Sequence, residues 1–162
     1  MAKSMNLKIL SLEDISCFDE IEEPFETLNE NALAKAKYIH EKYGYDCFAD
    51  DTGLEIEALG GRPGVYSARY AGEAADSKSN MAKVLLELIG EKNRRAQFRT
   101  VISLILDSSH FEFEGIVEGE ILEDIRGEKG FGYDPIFVPH GESRSFAEMS
   151  LEDKNKISHR SK

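Results

Sequence analysis

The sequence is poor in cysteine, in basic residues and in long apolar runs, and each shortage removes a class of protein. Its two cysteines, Cys17 and Cys47, stand alone, without Cys-x-x-Cys spacing or a nearby histidine pair. That argues against a disulfide framework or a zinc site and for reduced thiols in a cytoplasmic protein. No apolar stretch approaches the ~20 residues needed to cross a bilayer, and no apolar segment follows Lys3 as a secretory signal requires. Lys and Arg total 20 against 31 Asp and Glu, a net charge of −11. Without a basic stripe to displace counterions, a nucleic-acid polymer is a poor partner. A small polyanion remains open to such a chain, because a few placed bases and a divalent cation outweigh the overall field at close range. A phosphate-handling protein this acidic is therefore expected to use a metal. Also missing are internal repeats, low-complexity tracts, and the Walker A, GxSxG, HExxH and kinase signatures.

What is present fits one domain of 162 residues, long enough to bury a core. Residues 6–12 read as a short strand, followed by an acidic loop over 13–26. Thr27 with Glu30 forms a capping box, Gly44 is a stop, and Ala32, Leu33, Ala36, Ile39 and Tyr43 form one helical stripe between them. A short strand over 46–49 runs into Asp50-Asp51-Thr52-Gly53, and Leu54, Ile56 and Ala58 then alternate with Glu55 and Glu57 as in a half-exposed strand. Residues 60–64 form a tight Gly/Pro loop. A second helix spans about 76–89 before Gly90, with Met81, Val84, Leu85 and Leu88 inward. Residues 98–106 and 111–121 are strands joined by a turn at 107–109, and Phe111, Phe113, Val117, Gly119 and Ile121 share a face. A glycine-rich segment at 127–132, a short strand at 135–138 and a last helix from Ser150 complete a mixed α/β order with antiparallel parts.

Three groups carry chemistry. Glu22-Glu23 and Asp50-Asp51 offer the hard oxygen ligands that magnesium prefers, although acidic pairs in loops are usually solvated surface. Asp50 and Asp51, as neighbours at a strand end, should point to opposite sides, so only one faces a given metal. Gly130-Phe131-Gly132-Tyr133-Asp134-Pro135 lets backbone approach a flat ligand, with a ring for stacking and a carboxylate for hydrogen bonding; its bland alternative is a glycine turn with core aromatics. Lys154 and His159-Arg160 offer a point charge for phosphate and donors for a keto oxygen. Five and six residues apart, they converge only if the helix breaks near Ser158; otherwise they are the basic tail of a helix.

The order of these groups resembles the inosine triphosphate pyrophosphatase family, also called XTP/dITP diphosphatases. The matching strings are Asn29-Glu30-Asn31-Ala32-Leu33-Ala34-Lys35-Ala36, Ala49-Asp50-Asp51-Thr52-Gly53-Leu54, Gly61-Arg62-Pro63-Gly64-Val65-Tyr66-Ser67-Ala68-Arg69-Tyr70-Ala71-Gly72, Gly130-Phe131-Gly132-Tyr133-Asp134-Pro135-Ile136-Phe137 and Ile157-Ser158-His159-Arg160. The resemblance implies an α/β fold, an elongated mixed β-sheet flanked by helices, with two lobes and a central cleft. It implies a homodimer and hydrolysis of ITP, dITP or XTP to monophosphate and pyrophosphate with Mg2+. By match, Asp51 would bind metal and act as general base, with Glu23 (less so Glu22 or Asp50) completing the metal site. Lys35 and Thr52 would touch the phosphates. Phe131, Gly132, Tyr133 and Asp134 would hold the base, Lys154 would contact substrate, and His159 and Arg160 would face the purine 6-position.

The family's first strand, its Thr/Ser-x-Asn-x-x-Lys loop and the helix after it have no match here, and Ser4-Met5-Asn6-Leu7-Lys8 is only loosely similar. The chain is therefore expected to lack the first βα unit and to be incomplete at both ends. Glu23-Pro24 also stands where the family has a Thr-Gly step. The alternative expectation is a catalytically impaired nucleotide-binding or oligomerisation module. The related septum-formation-inhibitor type is disfavoured by the Ser158-His159-Arg160 string.

Overall fold

The computed structural model describes residues 8–161. The first helix, α1 (Leu28–Tyr43), starts where Thr27 is extended and its hydroxyl accepts the Glu30 N–H at 3.2 Å while donating to the Glu30 carboxylate. Such a cap supplies an acceptor to a helix end that has none of its own. The helix stops at Gly44, whose φ of 72° turns its N–H back onto the His40 carbonyl. Leu28, Ala32, Ala36 and Ile39 form its buried face, and Leu33 and Tyr43 flank it.

Five strands form one sheet: β1 (Cys47–Ile56), β2 (Pro63–Gly64), β3 (Arg95–Leu106), β4 (Ser109–Ile121) and β5 (Phe137–Pro139), in the order β2-β1-β3-β4-β5. The mixed sheet expected from the resemblance is antiparallel at every described pairing. At one pairing a tight return enforces this: Asp107 and Ser108, both with positive φ, close the β3–β4 hairpin in two residues, which suits the right-handed strand twist.

Period-two alternation splits the sheet into two faces. On one, α1 lies across β1 and β3, with Leu28 and Ala32 against Val101. On the other, Leu54, Ile56, Phe98, Val117 and Ile121 form the main core. Helix α2 (Ser77–Glu87) contributes Met81 and Val84, and the later chain contributes Tyr133, Ile136, Phe137, Phe146 and Met149. Each large side chain fully buried there is worth ~1.5–3 kcal/mol.

Several expectations need correction. Of the strand expected at 6–12, residues 6 and 7 lie outside the described residues and 8–12 are not a strand; Ser11 instead donates its N–H and hydroxyl to Asp14, starting a turn. Nor do Asp50 and Asp51 end a strand. The short strand at 46–49 and the alternating segment after it join in one continuous β1 as far as Ile56, with both aspartates in its middle, paired with Ile102 and Val101, while Glu57 and Ala58 turn into a 3-10 segment. The strand expected at 135–138 likewise begins only at Phe137, because a 3-10 turn takes Asp134–Ile136.

Candidate active site

β1 places successive side chains on opposite faces, and this divides the site. Asp51 points to the α1 side. There Lys35, from the middle of α1, donates to Glu23 Oε1 at 2.6 Å and to Asp51 Oδ1 at 3.2 Å. Glu22 remains exposed, whereas Glu23 is drawn inward by this ammonium. One cation between two anions explains an otherwise conflicting pair of protonation tendencies. Lys35 is pushed up overall, because its two carboxylates outweigh burial. Asp51 is also pushed up, first by burial and further by the Glu23 charge, which outweigh the shared ammonium and the Thr52 backbone N–H. Asp51 Oδ2 is buried and has no hydrogen-bond partner.

A divalent ion fits this corner. Magnesium is held by one or two carboxylates with the rest of its shell from water and phosphate, and a buried lone oxygen on Asp51 beside Glu23 is such a donor set. Among the described residues no group of three or more His, Cys, Asp or Glu converges, so the chain offers these carboxylates and no closed cage.

Asp50 and Thr52 point to the opposite face. The Thr52 hydroxyl lies 2.6 Å from the buried Thr100 hydroxyl and faces away from Lys35, so the two expected phosphate contacts do not share a face through their side chains. Asp50 Oδ2 accepts from Arg160 Nε at 3.1 Å and Nη2 at 2.9 Å. Asp50 therefore turns away from Glu23 and toward the end of the chain.

The break required near Ser158 is present. Helix α3 (Leu151–Ile157) ends at Ser158, whose ψ of 155° is extended, and a 3-10 turn over His159–Ser161 follows. Lys154 and His159-Arg160 are thereby gathered on one side. The His159 ring stacks on Phe98 at 5.2 Å and has its pKa pushed down to about 4, first by burial and then by the Arg160 and Lys154 charges. It is neutral at pH 7. Its Nε2 lies 3.4 Å from Arg160 Nη1. A guanidinium only donates, so Nε2 accepts and the ring proton sits on Nδ1, a buried N–H without a partner.

The glycine-rich segment forms the neighbouring wall. Phe131 is 68% exposed, while Tyr133 and Asp134 are buried beneath it. Asp134 accepts from the Phe131 N–H at 2.9 Å and from Lys154, and the Tyr133 hydroxyl donates to the Ser67 carbonyl. Lys154 Nζ sits 4.7 Å from the Phe131 ring centre and 5.2 Å from that of Phe146. Gly130 has a φ of 79°, and a Cβ there would meet the Asp134 carboxylate at 2.1 Å. So Phe131 and Gly132 are presented outward, and Tyr133 and Asp134 support them from below.

Sequence reasoning missed the second layer: Phe98 under His159, Thr100 behind Thr52, Phe146 against Lys154, and Gly115. A Cβ on Gly115 would come within 2.0 Å of the His159 carbonyl, so this glycine makes room for the terminal turn. A faint signal was available, since Gly115 and Gly119 interrupt the inward series of β4. A separate cavity of about 610 Å³, lined by Glu55, Gln97, Glu118 and His140 among others, includes none of these groups.

The chain is similar to known proteins in sequence and in fold. A dITP/XTP pyrophosphatase of Flavobacterium johnsoniae is 56% identical over 157 residues, covering 97% of this chain and 82% of that protein. The Ham1 protein of Staphylococcus aureus superposes with a TM-score of 0.91 at 40% identity, over 96% of this chain and 82% of that one. A nucleoside-triphosphatase (dITP/XTP pyrophosphatase) of Mycobacterium abscessus gives a TM-score of 0.85 at 36% identity, over 99% and 85%. With the Ham1 family model matching residues 1–162 and these relatives sharing sequence and fold across nearly its whole length, the chain belongs to the Ham1 family.

Proposed function

We propose that the chain hydrolyses non-standard purine nucleoside triphosphates (ITP, dITP, XTP) to the monophosphate and pyrophosphate. The observation that carries this is the buried, unpartnered Asp51 Oδ2 beside Glu23 and Lys35, one residue along β1 from the Asp50–Arg160 pair. The activity for which its relatives are named agrees.

In this reading the nucleotide crosses β1, its triphosphate toward Lys35 and its ring toward Phe131, His159 and Arg160. Glu23 and Asp51 would hold Mg2+, which when bound neutralises charge developing on the phosphates. Lys35 donates to a phosphate oxygen. Asp51 takes a proton from a water that attacks the α-phosphorus; the bond from that phosphorus to the bridging oxygen breaks, and pyrophosphate leaves with the electron pair. Burial raises the basicity of Asp51, which suits proton abstraction. The Lys154 ammonium faces the Phe131 ring, giving a stacked base a cationic neighbour.

Specificity follows from the sign of the donors. Hypoxanthine and xanthine present a keto oxygen at C6, which accepts from Arg160, while His159, its Nε2 already accepting from Nη1, steadies that guanidinium. Adenine presents an amino group and leaves donor facing donor, a mismatch worth on the order of 10⁴ in favourable cases. The expected outcome is Mg2+-dependent pyrophosphate release from ITP or XTP far faster than from ATP; equal rates would reject the reading.

The same reading includes a homodimer and a cytoplasmic setting. Phe48, Phe111 and Phe113, exposed on one face, give a second copy an apolar surface to cover, which light scattering of the purified chain tests. Among the described residues no helix is long and apolar enough to cross a membrane.

A further inference from the structure

The position next to the expected general base has a separate job. Arg160 stands on a short turn past the end of α3, and a long side chain there has many orientations available. Asp50 stands on the opposite kind of support, mid-strand on β1 and paired with Ile102 of β3. Its Oδ2 accepts from Nε and Nη2 of Arg160 at 3.1 and 2.9 Å. Behind it, the Thr52 hydroxyl reaches the same oxygen at 3.4 Å and is itself 2.6 Å from Thr100, which is 1% exposed. On the other side, Nη1 rests 3.4 Å from His159 Nε2, on a ring stacked against Phe98. The guanidinium is therefore fixed along one edge and at one corner, by groups that lead back into the core. Of its N–H donors about two remain uncommitted, and they lie in a plane set by Asp50.

We propose that Asp50 is a specificity-positioning residue: held on β1, its carboxylate orients the Arg160 guanidinium to read a purine 6-keto oxygen. The proposal deepens the nucleotide reading above and rests on it. A metal-ligand role is disfavoured by geometry, because Asp50 faces away from the Glu23–Lys35–Asp51 group. The arrangement also leaves the guanidinium partly neutralised before a ligand arrives, so an uncharged base edge is not read by an isolated cation.

The test compares the intact chain with Asp50→Asn, Asp50→Glu, Arg160→Ala and the Asp50→Asn/Arg160→Ala double variant. Steady-state rates with ITP and ATP are measured in Mg2+, alongside calorimetric binding of inosine and adenosine monophosphates. Asp50→Asn is expected to raise KM for ITP about tenfold, more than it lowers kcat, and to cut the ITP-over-ATP preference by a similar factor. Asp50→Glu recovers part of that preference. The double variant is no worse than Arg160→Ala, because the two residues act as one unit. A merely structural role would slow both nucleotides equally and leave the preference intact; that result, or fully additive losses, overturns the proposal. Failure of the functional reading looks different, since the wild-type chain itself would then show no ITP preference in turnover. In that event monophosphate binding decides: selective weakening of the inosine form by Asp50→Asn supports Asp50, and unchanged selectivity overturns it.

Discussion

Asp51 and His159 each keep a buried polar atom without a partner, and under the proposed function both set activity against stability. Burial raises the folded pKa of Asp51, so its charged form is disfavoured and its contribution to stability is lost as pH rises through that value. Asp51→Asn should therefore abolish turnover, by at least about 10³-fold for loss of a general base, without lowering the melting temperature at pH 7. A clear drop in melting temperature would show the Lys35 ion pair to be a net stabiliser. The histidine works in the reverse sense. Its pKa falls from 6.5 unfolded to about 4 folded, so the unfolded chain binds the extra proton between those values. Stability conferred by neutral His159 is full above about pH 6.5 and is lost as pH falls toward about 4, by ~3 kcal/mol at most. Urea titrations at pH 7 and pH 4.5 should show this loss in the wild-type chain and a smaller one in His159→Gln.

At the level of strands and helices, two glycine and capping positions give direct predictions. Gly115→Ala places a methyl group against the His159 carbonyl, and the backbone of the terminal turn must move. A loss of ~1–3 kcal/mol is expected from such overpacking, together with a higher KM for ITP; wild-type KM would show that the turn adjusts without cost. Thr27→Ala removes the α1 cap and should cost ~1 kcal/mol in urea unfolding, with Lys35 and hence KM little changed. These elements were largely legible in the sequence, because caps, hairpin turns and helical stripes are local. Thr27 and Gly44 act where they were expected to, and the turn expected at 107–109 closes on Asp107 and Ser108. The same locality explains the failures. Residues 8–12 carry apolar side chains as a strand would, but a strand exists only when another pairs with it, and Ser11 donates instead to Asp14. Likewise, that Asp50 meets Arg160 across 110 positions depends on which face of β1 it occupies within a complete sheet. A string of letters shows the dipeptide; only the continuous β1 shows that its two carboxylates serve different sides.

For the molecule as a whole, net charge −11 sets how ligands must arrive. A triphosphate brought to Glu23 and Asp51 without a divalent ion meets two carboxylates and one shared ammonium, so chelation should weaken ITP binding as well as halt turnover. With Mg2+ present, ligand at 100 times its Kd should stabilise the fold by ~2.7 kcal/mol. Thermal melts with ITP, with and without a chelator, read this directly; equal shifts in the two would count against a metal at this corner. Under the proposed function the two-faced β1 also sets what shape of ligand is accepted. Neighbouring residues on a strand are only ~3.3 Å apart along its axis, yet Asp51 and Asp50 lead to opposite sides of the sheet. A molecule held at both must therefore fold over the strand like a saddle rather than lie along it. Rigid or outstretched polyphosphates should be turned away by shape before any base is inspected, and tolerance of modified nucleotides should track how easily they bend between ring and tail.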